Sequence, residues 1–468
     1  MLRYIHMQRV FAFIVFFSFS LSFRASHVMG GEITWSCSGT NTYEFQLVFY
    51  RDCNGAEVNI ISEDLRVWNH PSLNSIVLNF ISREDISPSC TVVAGSPPML
   101  ECGTGSAAGN GVGAIERITY RSDPISIPGI PPSEGWIFTY ENFSRSNAIS
   151  NLSDPSTFGI TLAAKMYANP NSINNTCTDS SPKFLQSPHF VTCAGSEYRY
   201  NMNAIDPDLD SLHFKFGIPF DYFPVGVYDP PLNPMPVPFE AGYSYDSPTP
   251  DTDIDANNIP ASIDPSTGEI VFTSFNIGNF NIKVSVQSFR NGILIGEVER
   301  EMQIVVLPCS SENNAPLITP PFAGGLFETT VNAGDLVDFD LLATDLDLLQ
   351  NGAAQNVIIS ASGPMFGAGY TSPLGCDIEP CATLNSLPPI EAPETATTSF
   401  SWQTTCDHLV NQFGGISEMI PYDFVFKVQD NFCQVPKITY ATVRINVLNP
   451  GVLQAPKIDC IQTDAGGD

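Results

Sequence analysis

Residues 204–212 read AIDPDLDSL, which places carboxylates at Asp206, Asp208 and Asp210. Calcium takes about six to eight oxygen ligands at roughly 2.3–2.6 Å, and a D-x-D-x-D turn supplies several of them from a short arc of chain. A bound divalent ion would also cancel the repulsion among the three charges. The alternative is a solvated acidic loop, held by hydrogen bonds from aspartate side chains to the backbone. We expect calcium at this turn, and the motif alone leaves the loop interpretation open.

Two further acidic runs have the same character. ATDLD (343–347) carries Asp345 and Asp347, and with two acids rather than three it fits either a second calcium site or a loop. DTDIDANN (251–258) carries Asp251, Asp253 and Asp255. It lacks the glycine at the sixth position and the terminal glutamate of an EF-hand. We therefore expect an ordinary loop there.

Catalytic arrangements are not evident in the sequence. Glycoside hydrolysis needs two carboxyl groups about 5–9.5 Å apart across a cleft, and carboxylates bunched in one turn do not flank a sugar. The histidines form no H-E-x-x-H pattern, and there is no G-x-S-x-G segment. We predict that the protein is not an enzyme.

The segment WIFTY (136–140) places Trp136, Phe138 and Tyr140 on one face of a strand. An exposed aromatic row of this kind is typical of a carbohydrate-binding platform. Burial of the same row in a sandwich core is the commoner arrangement, and it is the one we expect.

The elements that must position these residues are predicted to be strands. Glycine (34) and proline (38) are spread along the chain and leave few windows for a long helix. Short alternating or β-branched runs recur instead, bounded by turn residues. They include 43–50, 74–81, 268–275, 280–289, 300–307, 422–430 and 440–448. The pattern predicts an all-β protein built from β-sandwiches.

Two segments follow one plan. SSPKF (180–184), AIDPDLD (204–210) and NIKVSVQSFRNG (281–292) recur in order as NNAPLI (313–318), ATDLD (343–347) and VFKVQDNFC (425–433). The offset between Ala204 and Ala343 is 139 residues, a plausible sandwich repeat. We predict a separate N-terminal β-rich domain at 27–179 and immunoglobulin- or cadherin-like sandwiches at 180–309 and 310–450. Residues 451–468 would be a linker or the start of a further module.

The N-terminus predicts export. Arg3 and Arg9 precede the mostly apolar run 10–23, and small residues follow near Ala25, as in a secretory signal peptide over 1–26. About fourteen helical residues span only about 21 Å, short of a membrane core of about 30 Å. We expect a secreted or cell-surface chain with no transmembrane segment in its mature form.

Export changes how the twelve cysteines are interpreted. None forms a C-x-x-C pair, and an even number in an oxidising compartment favours disulfides over zinc. We predict the local pairs Cys90–Cys102 and Cys177–Cys193, with the rest of the connectivity open.

The chain is strongly acidic, with 20 basic and 49 acidic residues and a formal charge of −29. Loss of the three arginines in the signal peptide would make it −32. Such a charge disfavours nucleic acid and anionic membranes as partners. It is compatible with divalent cations, and we expect calcium as the cofactor.

Several stretches resemble large exported surface proteins of Bacteroidetes, a group labelled gliding-motility-associated, whose members often carry a C-terminal type IX secretion sorting domain. They are SHVMGGEITWSC (26–37), YEFQLVFYRDCNG (43–55), WIFTYENFSRSNAISNL (136–152), YNMNAIDPDLDSL (200–212) and VQSFRNGILIG (286–296). SIDPSTGEI (262–270) and AIDPDLDS are similar to cadherin-like and immunoglobulin-like repeats. The resemblance runs over about residues 26–310, and no sorting domain follows Pro450.

The cadherin resemblance implies a calcium-binding linker at ENNAP (312–316), with Glu312 as its acid. It also implies that Asn314 and Asp430 complete the site of Asp345 and Asp347. The expected function is a non-enzymatic adhesin or stalk whose domain junctions are stiffened by calcium. Its partner would be an extracellular surface, a glycan or a protein. The alternatives are a glycan-binding module using Trp136 and Tyr140, or the non-catalytic part of a larger secreted hydrolase.

Overall fold

The computed structural model describes residues 28–55, 60–103, 109–169, 179–309, 313–410 and 415–451. The expected signal peptide, Glu312 and Cys177 lie outside these ranges. The described chain is nearly all β, so the predicted fold class is confirmed. No helix in these ranges has the length and apolar character needed to cross a membrane.

The strands of the first part of the chain precede residue 310. They are β1 (Val28–Gly39), β2 (Thr42–Asp52), β3 (Ser62–Trp68), β4 (Ser75–Asp85), β5 (Ile115–Arg121), β6 (Ile125–Ser126), β7 (Trp136–Asn142), β8 (Ile160–Met166), β9 (Lys183–Phe184), β10 (Val191–Cys193), β11 (Glu197–Asn201), β12 (Ala204–Ile205), β13 (Ser211–Phe216), β14 (Ile259–Ile263), β15 (Glu269–Thr273), β16 (Gly278–Arg290) and β17 (Ile293–Leu307).

The remaining strands belong to the C-terminal part. They are β18 (Leu317–Thr319), β19 (Glu328–Asn332), β20 (Leu336–Thr344), β21 (Asn356–Ser362), β22 (Thr383–Leu384), β23 (Ile390–Pro393), β24 (Thr395–Gln403), β25 (Met419–Gln429) and β26 (Ile438–Leu448). Short 3-10 helices lie at Pro155–Thr157, Ala368–Tyr370 and Cys406–Leu409.

One large sheet organises the first part of the chain, in the order β1-β2-β5-β4-β3-β7-β8-β17-β16-β13. Strand β17 pairs with β16 along one edge, and its opposite edge meets β8, β1 and β10 in turn. The sheet therefore rolls until its far strand β1 returns to β17. This closure needs a glycine, because a Cβ on Gly30 would lie 1.9 Å from the carbonyl oxygen of Glu301.

The sheet crosses the predicted domain boundary at residue 179. Strands β1–β8 come from the segment 27–179, whereas β17, β16 and β13 come from 180–309, and side chains from both segments share one hydrophobic core. The prediction of a separate N-terminal domain is corrected on this point. Alternation within a strand reports which residues are buried, but it does not report which distant strand pairs with it.

A second layer completes the first sandwich. Strands β11, β15 and β14 form a three-stranded sheet, and β9 pairs with β12. Tyr198, Tyr200 and Phe272 are buried beneath it, and the rings of Tyr198 and Phe272 stack with centroids 4.6 Å apart.

The segment 313–450 forms the second predicted sandwich. Sheet β18-β20-β24-β22 faces sheet β19-β26-β25-β21-β23. The core between them is aromatic, and the rings of Phe339 and Phe400 stack with centroids 4.6 Å apart. Trp402 packs edge-on against Phe424 and is buried.

Disulfides tie the two parts together. Cys90 pairs with Cys433 across 343 residues of sequence, and Cys53 pairs with Cys102, so the predicted Cys90–Cys102 bond is wrong. Cys193 pairs with Cys309, so the predicted Cys177–Cys193 bond is wrong as well. Cys376–Cys381 is a local pair. The wrong pairs came from sequence proximity, whereas bonding requires Cα atoms about 4.4–6.8 Å apart in the folded chain.

The second sandwich also packs directly against the first part. The Nδ2 atoms of Asn201 and Asn203 donate to Thr442 and Ser362, at 2.8 and 2.9 Å. Tyr440 of β26 lies in the core of the first part. The junction between the sandwiches is therefore held by packing, hydrogen bonds and a disulfide, and it is not a free hinge.

Candidate metal centre

The aspartates of the first acidic run occupy the turn between β12 and β13. Oδ1 of Asp206 accepts hydrogen bonds from the backbone N–H groups of Asp208 and Asp210, at 2.8 and 3.3 Å. This is the aspartate turn of the loop interpretation. The turn is not solvated, however, because Asp206 and Asp208 are only 6% and 3% exposed.

A fourth acid joins the turn from a distant part of the chain. Oxygen atoms of Asp179, Asp208 and Asp210 lie within 4.8 Å of one another, close enough to share one ion. Asp206 stands beside this trio, with Oδ1 used by the turn. The sequence analysis missed Asp179. The available signal was its position just before the SSPKF segment, where the second copy has Asn313 before NAPLI.

One buried arginine faces these carboxylates. Arg290, at the end of β16, donates to Asp179 Oδ1 at 3.0 Å, to Asp208 Oδ2 at 3.2 Å and to both oxygens of Asp210. Its side chain is 6% exposed. A single guanidinium thus opposes four carboxylates, which leaves an excess of negative charge if all four are ionised.

The electrostatics follow from burial. Burial raises the pKa of Asp179 well above its usual value, and the neighbouring charges of Asp206 and Asp208 raise it further. The pKa of Asp206 is raised for the same reasons, with Asp210 the strongest neighbour. For Asp210 burial also raises the pKa, whereas its hydrogen bonds from Arg290 lower it. The group therefore favours either protons or a cation.

Three polar atoms at this position have no hydrogen-bond partner among the described residues. They are Oδ2 of Asp179, Oδ2 of Asp206 and Oγ of Ser288, and all are buried. A buried carboxylate oxygen without a partner is costly. One of these oxygens belongs to the trio, through Asp179, and the other comes from Asp206, so the four aspartates together offer the oxygen ligands that calcium prefers.

The second acidic run repeats this local geometry. Asn314 N–H donates to Asp347 Oδ2 at 2.5 Å, and Asp347 N–H donates to Asp345 Oδ1 at 2.9 Å. In the first copy Ser180 N–H donates to Asp208 Oδ2 at 2.8 Å, and Asp208 N–H donates to Asp206 Oδ1. Oδ2 of the leading aspartate, Asp206 or Asp345, is buried without a partner in both copies.

The predicted residue Asp430 is connected to this second site by a hydrogen bond with Asn313. Asp430 is fully buried and accepts from Asn313 Nδ2 at 2.8 Å. Burial raises the pKa of Asp430 to about 7, with a smaller contribution from Asp345. Gln355 was missed, since nothing in its sequence context marks it. Its Nε2 donates to Asn313 Oδ1 at 2.7 Å, and its Oε1 is buried without a partner.

The two sites differ in their built-in positive charge. The first contains the Arg290 guanidinium. At the second, no arginine or lysine side chain among the described residues forms an ion pair with Asp345, Asp347 or Asp430. Among described residues, carboxylate oxygens of the Asp179 trio lie within 4.8 Å of one another, and those of Asp345, Asp347 and Asp430 do not form such a group. The first copy is thus the more compact acidic cluster, and it is the one with a direct ion pair to arginine.

The third acidic run and the aromatic row at 136–140 do not belong to either acidic site. The run at 251–255 is an exposed loop whose Asp251 and Asp255 accept backbone hydrogen bonds from Asp253 and Asn257, as expected. Trp136, Phe138 and Tyr140 are 0–3% exposed and belong to the core. They cannot form an exposed platform, so the alternative based on Trp136 and Tyr140 is wrong.

No protein-family model and no curated protein matches this chain. Among solved structures, it is similar over 57% of its length, and 99% of the other chain, to the crystal structure of Dpr2 Ig1-Ig2 in complex with DIP-Theta Ig1-Ig3, with 10% identity and a TM-score of 0.21. Zebrafish RET cadherin-like domains 1 to 4 match 78% of this chain over 72% of theirs, at 11% identity and a TM-score of 0.15. Surface layer protein SbsC, domains 1–6, matches 92% of this chain over 55% of its own, at 9% identity and a TM-score of 0.15. Similarities this low assign no function.

Proposed function

We propose that this chain is an extracellular, non-enzymatic adhesion or stalk protein in which calcium binds at the two repeated aspartate sites. The observation that carries the proposal is the recurrence, 139 residues apart, of the same hydrogen-bonded turn with a buried, unpartnered aspartate oxygen. In both copies one buried aspartate oxygen, Oδ2 of Asp206 or of Asp345, lacks a hydrogen-bond partner among the described residues. A calcium ion bound in each copy would supply the missing partner.

The calcium ligands in the first copy would be Asp179, Asp206, Asp208 and Asp210. In the second copy they would be Asp345 and Asp347, with Asp430 and the Asn313 and Asn314 linker around them. An ion at the first site would join the segment before β9 to the turn between β12 and β13. An ion at the second site would join the segment before β18 to the turn after β20. The four disulfides of the described residues are in keeping with an oxidising, extracellular location. Association with gliding motility or type IX secretion is part of this proposal only through the sequence resemblance.

The first test is calcium titration of the mature protein by calorimetry and thermal unfolding. We expect two binding events and a rise in the melting temperature, with one event lost in each of Asp206→Asn and Asp345→Asn. Asp253→Asn is the matched control, because Asp253 lies in the exposed third run. Absence of heat and of any melting shift in the wild type would refute the metal sites.

The second test concerns stiffness. Because the Cys90–Cys433 bond and side-chain packing also cross the junction, chelation alone should change the small-angle scattering profile little. Chelation of the Cys90→Ser/Cys433→Ser variant should increase its radius of gyration. Identical profiles for that variant with calcium and with chelator would exclude a mechanical role for the ion while leaving binding itself intact.

A further inference from the structure

A groove of about 490 Å³ lies on one face of the rolled sheet. None of the aspartates of the two acidic sites lines it. Its floor is made by β1, β2 and β5, whose cross-strand rows place Thr34 opposite Gln46 and Gln46 opposite Arg121. The segment 183–187 forms one wall. The volume is within the range of ligand-binding clefts, about 300–1,000 Å³.

The charge of this groove is opposite to that of the chain. Four basic residues line it against two acidic ones, in a protein where acidic residues outnumber basic ones by 49 to 20. The basic residues are Arg117, Arg121, Lys183 and Arg300, and the acidic ones are Glu32 and Glu44.

One of the ion pairs in the groove is structural. Arg300 is buried and donates to both oxygens of Glu32, at 2.8 and 3.2 Å, and to the Tyr200 hydroxyl at 2.7 Å. Its guanidinium also lies 3.8 Å from the centre of the Phe184 ring. Arg300 and Glu32 therefore neutralise each other and fix the floor. Arg117 pairs with Glu84. The remaining charges of the groove are therefore those of Arg121, Lys183 and Glu44.

Two of the cations at the rim, Lys183 and Arg121, are not neutralised by an ion pair with a described residue. The Lys183 ammonium has no hydrogen bond or ion pair to another described residue, and Arg121 contacts only the neutral Gln46, at 3.1 Å. Arg117 pairs with Glu84, but its Nε atom is buried with no partner among described residues. Arg117 also donates to Ser187 Oγ at 2.7 Å. Lys183 and Arg121 are therefore the cations available to an anionic ligand.

The floor between these cations is polar. Hydroxyl and amide residues line the groove at Thr34, Ser36, Gln46 and Thr119, whereas the side-chain amide of Gln186 donates to Ser362 Oγ at 2.9 Å. Such a surface offers paired donors and acceptors to a ligand rich in hydroxyl groups. The aromatic rings beneath, Trp35, Phe45 and Tyr50, are at most 1% exposed and offer no stacking face.

We propose that this groove binds an acidic oligosaccharide, one whose sugar units carry carboxylates. Arg121 and Lys183 would pair with the carboxylates, and the hydroxyl and amide floor would hydrogen-bond the sugar hydroxyls. The carboxylates of an acidic peptide would also pair with Arg121 and Lys183. A peptide has fewer hydroxyl groups than a sugar, however, and would form fewer hydrogen bonds with the hydroxyl and amide side chains of the floor. The inference rests on the proposed extracellular role for its setting and does not depend on either calcium site.

The test is calorimetric titration of the mature protein with oligogalacturonate, in chelator so that calcium cannot bridge protein and sugar. A neutral malto-oligosaccharide of the same length and oligoglutamate are the comparison ligands. We expect binding of oligogalacturonate alone, weakening with added salt because exposed charges are screened. The Arg121→Gln/Lys183→Gln variant should bind about two- to thirtyfold more weakly, since each exposed ion pair contributes about 0.2–1 kcal/mol and about 1.4 kcal/mol is a tenfold change in affinity.

Lys215→Gln is the matched control, because Lys215 is an exposed lysine on β13 outside the groove. Its binding should equal that of the wild type. The proposal is overturned by no binding, by equal binding of the neutral sugar or of oligoglutamate, or by equal loss in Lys215→Gln. Any of these results leaves the calcium titration unaffected, so the two proposals fail separately.

Discussion

Replacement of Arg290 by methionine tests the electrostatics of the first acidic site most directly. The arginine and its partners Asp179, Asp208 and Asp210 have side chains only 1–6% exposed. Removing one partner of a buried ion pair typically destabilises a protein by about 3–5 kcal/mol, because the opposite charge is left uncompensated. For a cooperative unit of about 280 residues, the size of the first part, the melting temperature should fall by roughly 5–8 °C in the presence of chelator.

Calcium should reverse much of that loss if the site binds it. An ion at about 100 times its dissociation constant stabilises the folded state by about 2.7 kcal/mol. Arg290→Met also removes a competing positive charge, so calcium should raise its melting temperature more than that of the wild type. Arg199→Met is the control, because Arg199 pairs with Glu269 while 33% exposed and should contribute at most about 1 kcal/mol.

The assay is thermal unfolding of both variants and the wild type, each in chelator and in calcium. If Arg290→Met is as stable as the wild type in chelator, the guanidinium does not hold the carboxylates in the way described. If Arg290→Met is destabilised and calcium does not raise its melting temperature, the carboxyl groups are neutralised by protonation and not by a metal ion. That result would refute the metal proposal for the first copy.

Three further predictions concern the fold. The Cys90→Ser/Cys433→Ser variant should lose about 3–5 kcal/mol of unfolding free energy by chemical denaturation, since the bond closes a very long loop; an unchanged midpoint would contradict this. Gly30→Ala should lower the melting temperature strongly because its Cβ would meet β17, whereas Gly39→Ala, where the nearest atom is 3.8 Å away, should not. Burial lowers the pKa of His189 to about 3, so its folded ring stays neutral while the unfolded chain binds a proton near pH 6.5. His189 should therefore cost about 2 kcal/mol of stability at pH 5, measured as the difference in pH dependence between the wild type and His189→Gln. The difference is the readout because the raised pKa values of Asp179, Asp206 and Asp430 change the stability of both proteins in the opposite direction.

Local patterns were sufficient for the strands. The runs at 280–289 and 440–448 lie within β16 and β26, because alternation of apolar side chains and flanking turn residues are properties of neighbouring residues. The internal repeat was also visible, since Asp206 and Asp345 occupy matching positions in the two copies and make matching hydrogen bonds.

Partners distant in sequence were not predictable in the same way. Asp179 and Arg290 are separated by 111 residues and meet only because β16 ends beside the segment that precedes β9. Cys90 finds Cys433 for a similar reason, after the second sandwich has packed against the first part. The groove between β5 and residues 183–187 is equally non-local.

The amino-acid sequence by itself determined the β character of this protein, its repeated acidic turns and its overall negative charge, because each of these is set by residue type and by neighbours within a few positions. The tertiary structure alone decided which carboxylates share a site, which arginine opposes them, which cysteines bond and where positive charge gathers. Those outcomes depend on strand pairing across the rolled sheet, and pairing between distant strands is fixed by the packing of the whole chain.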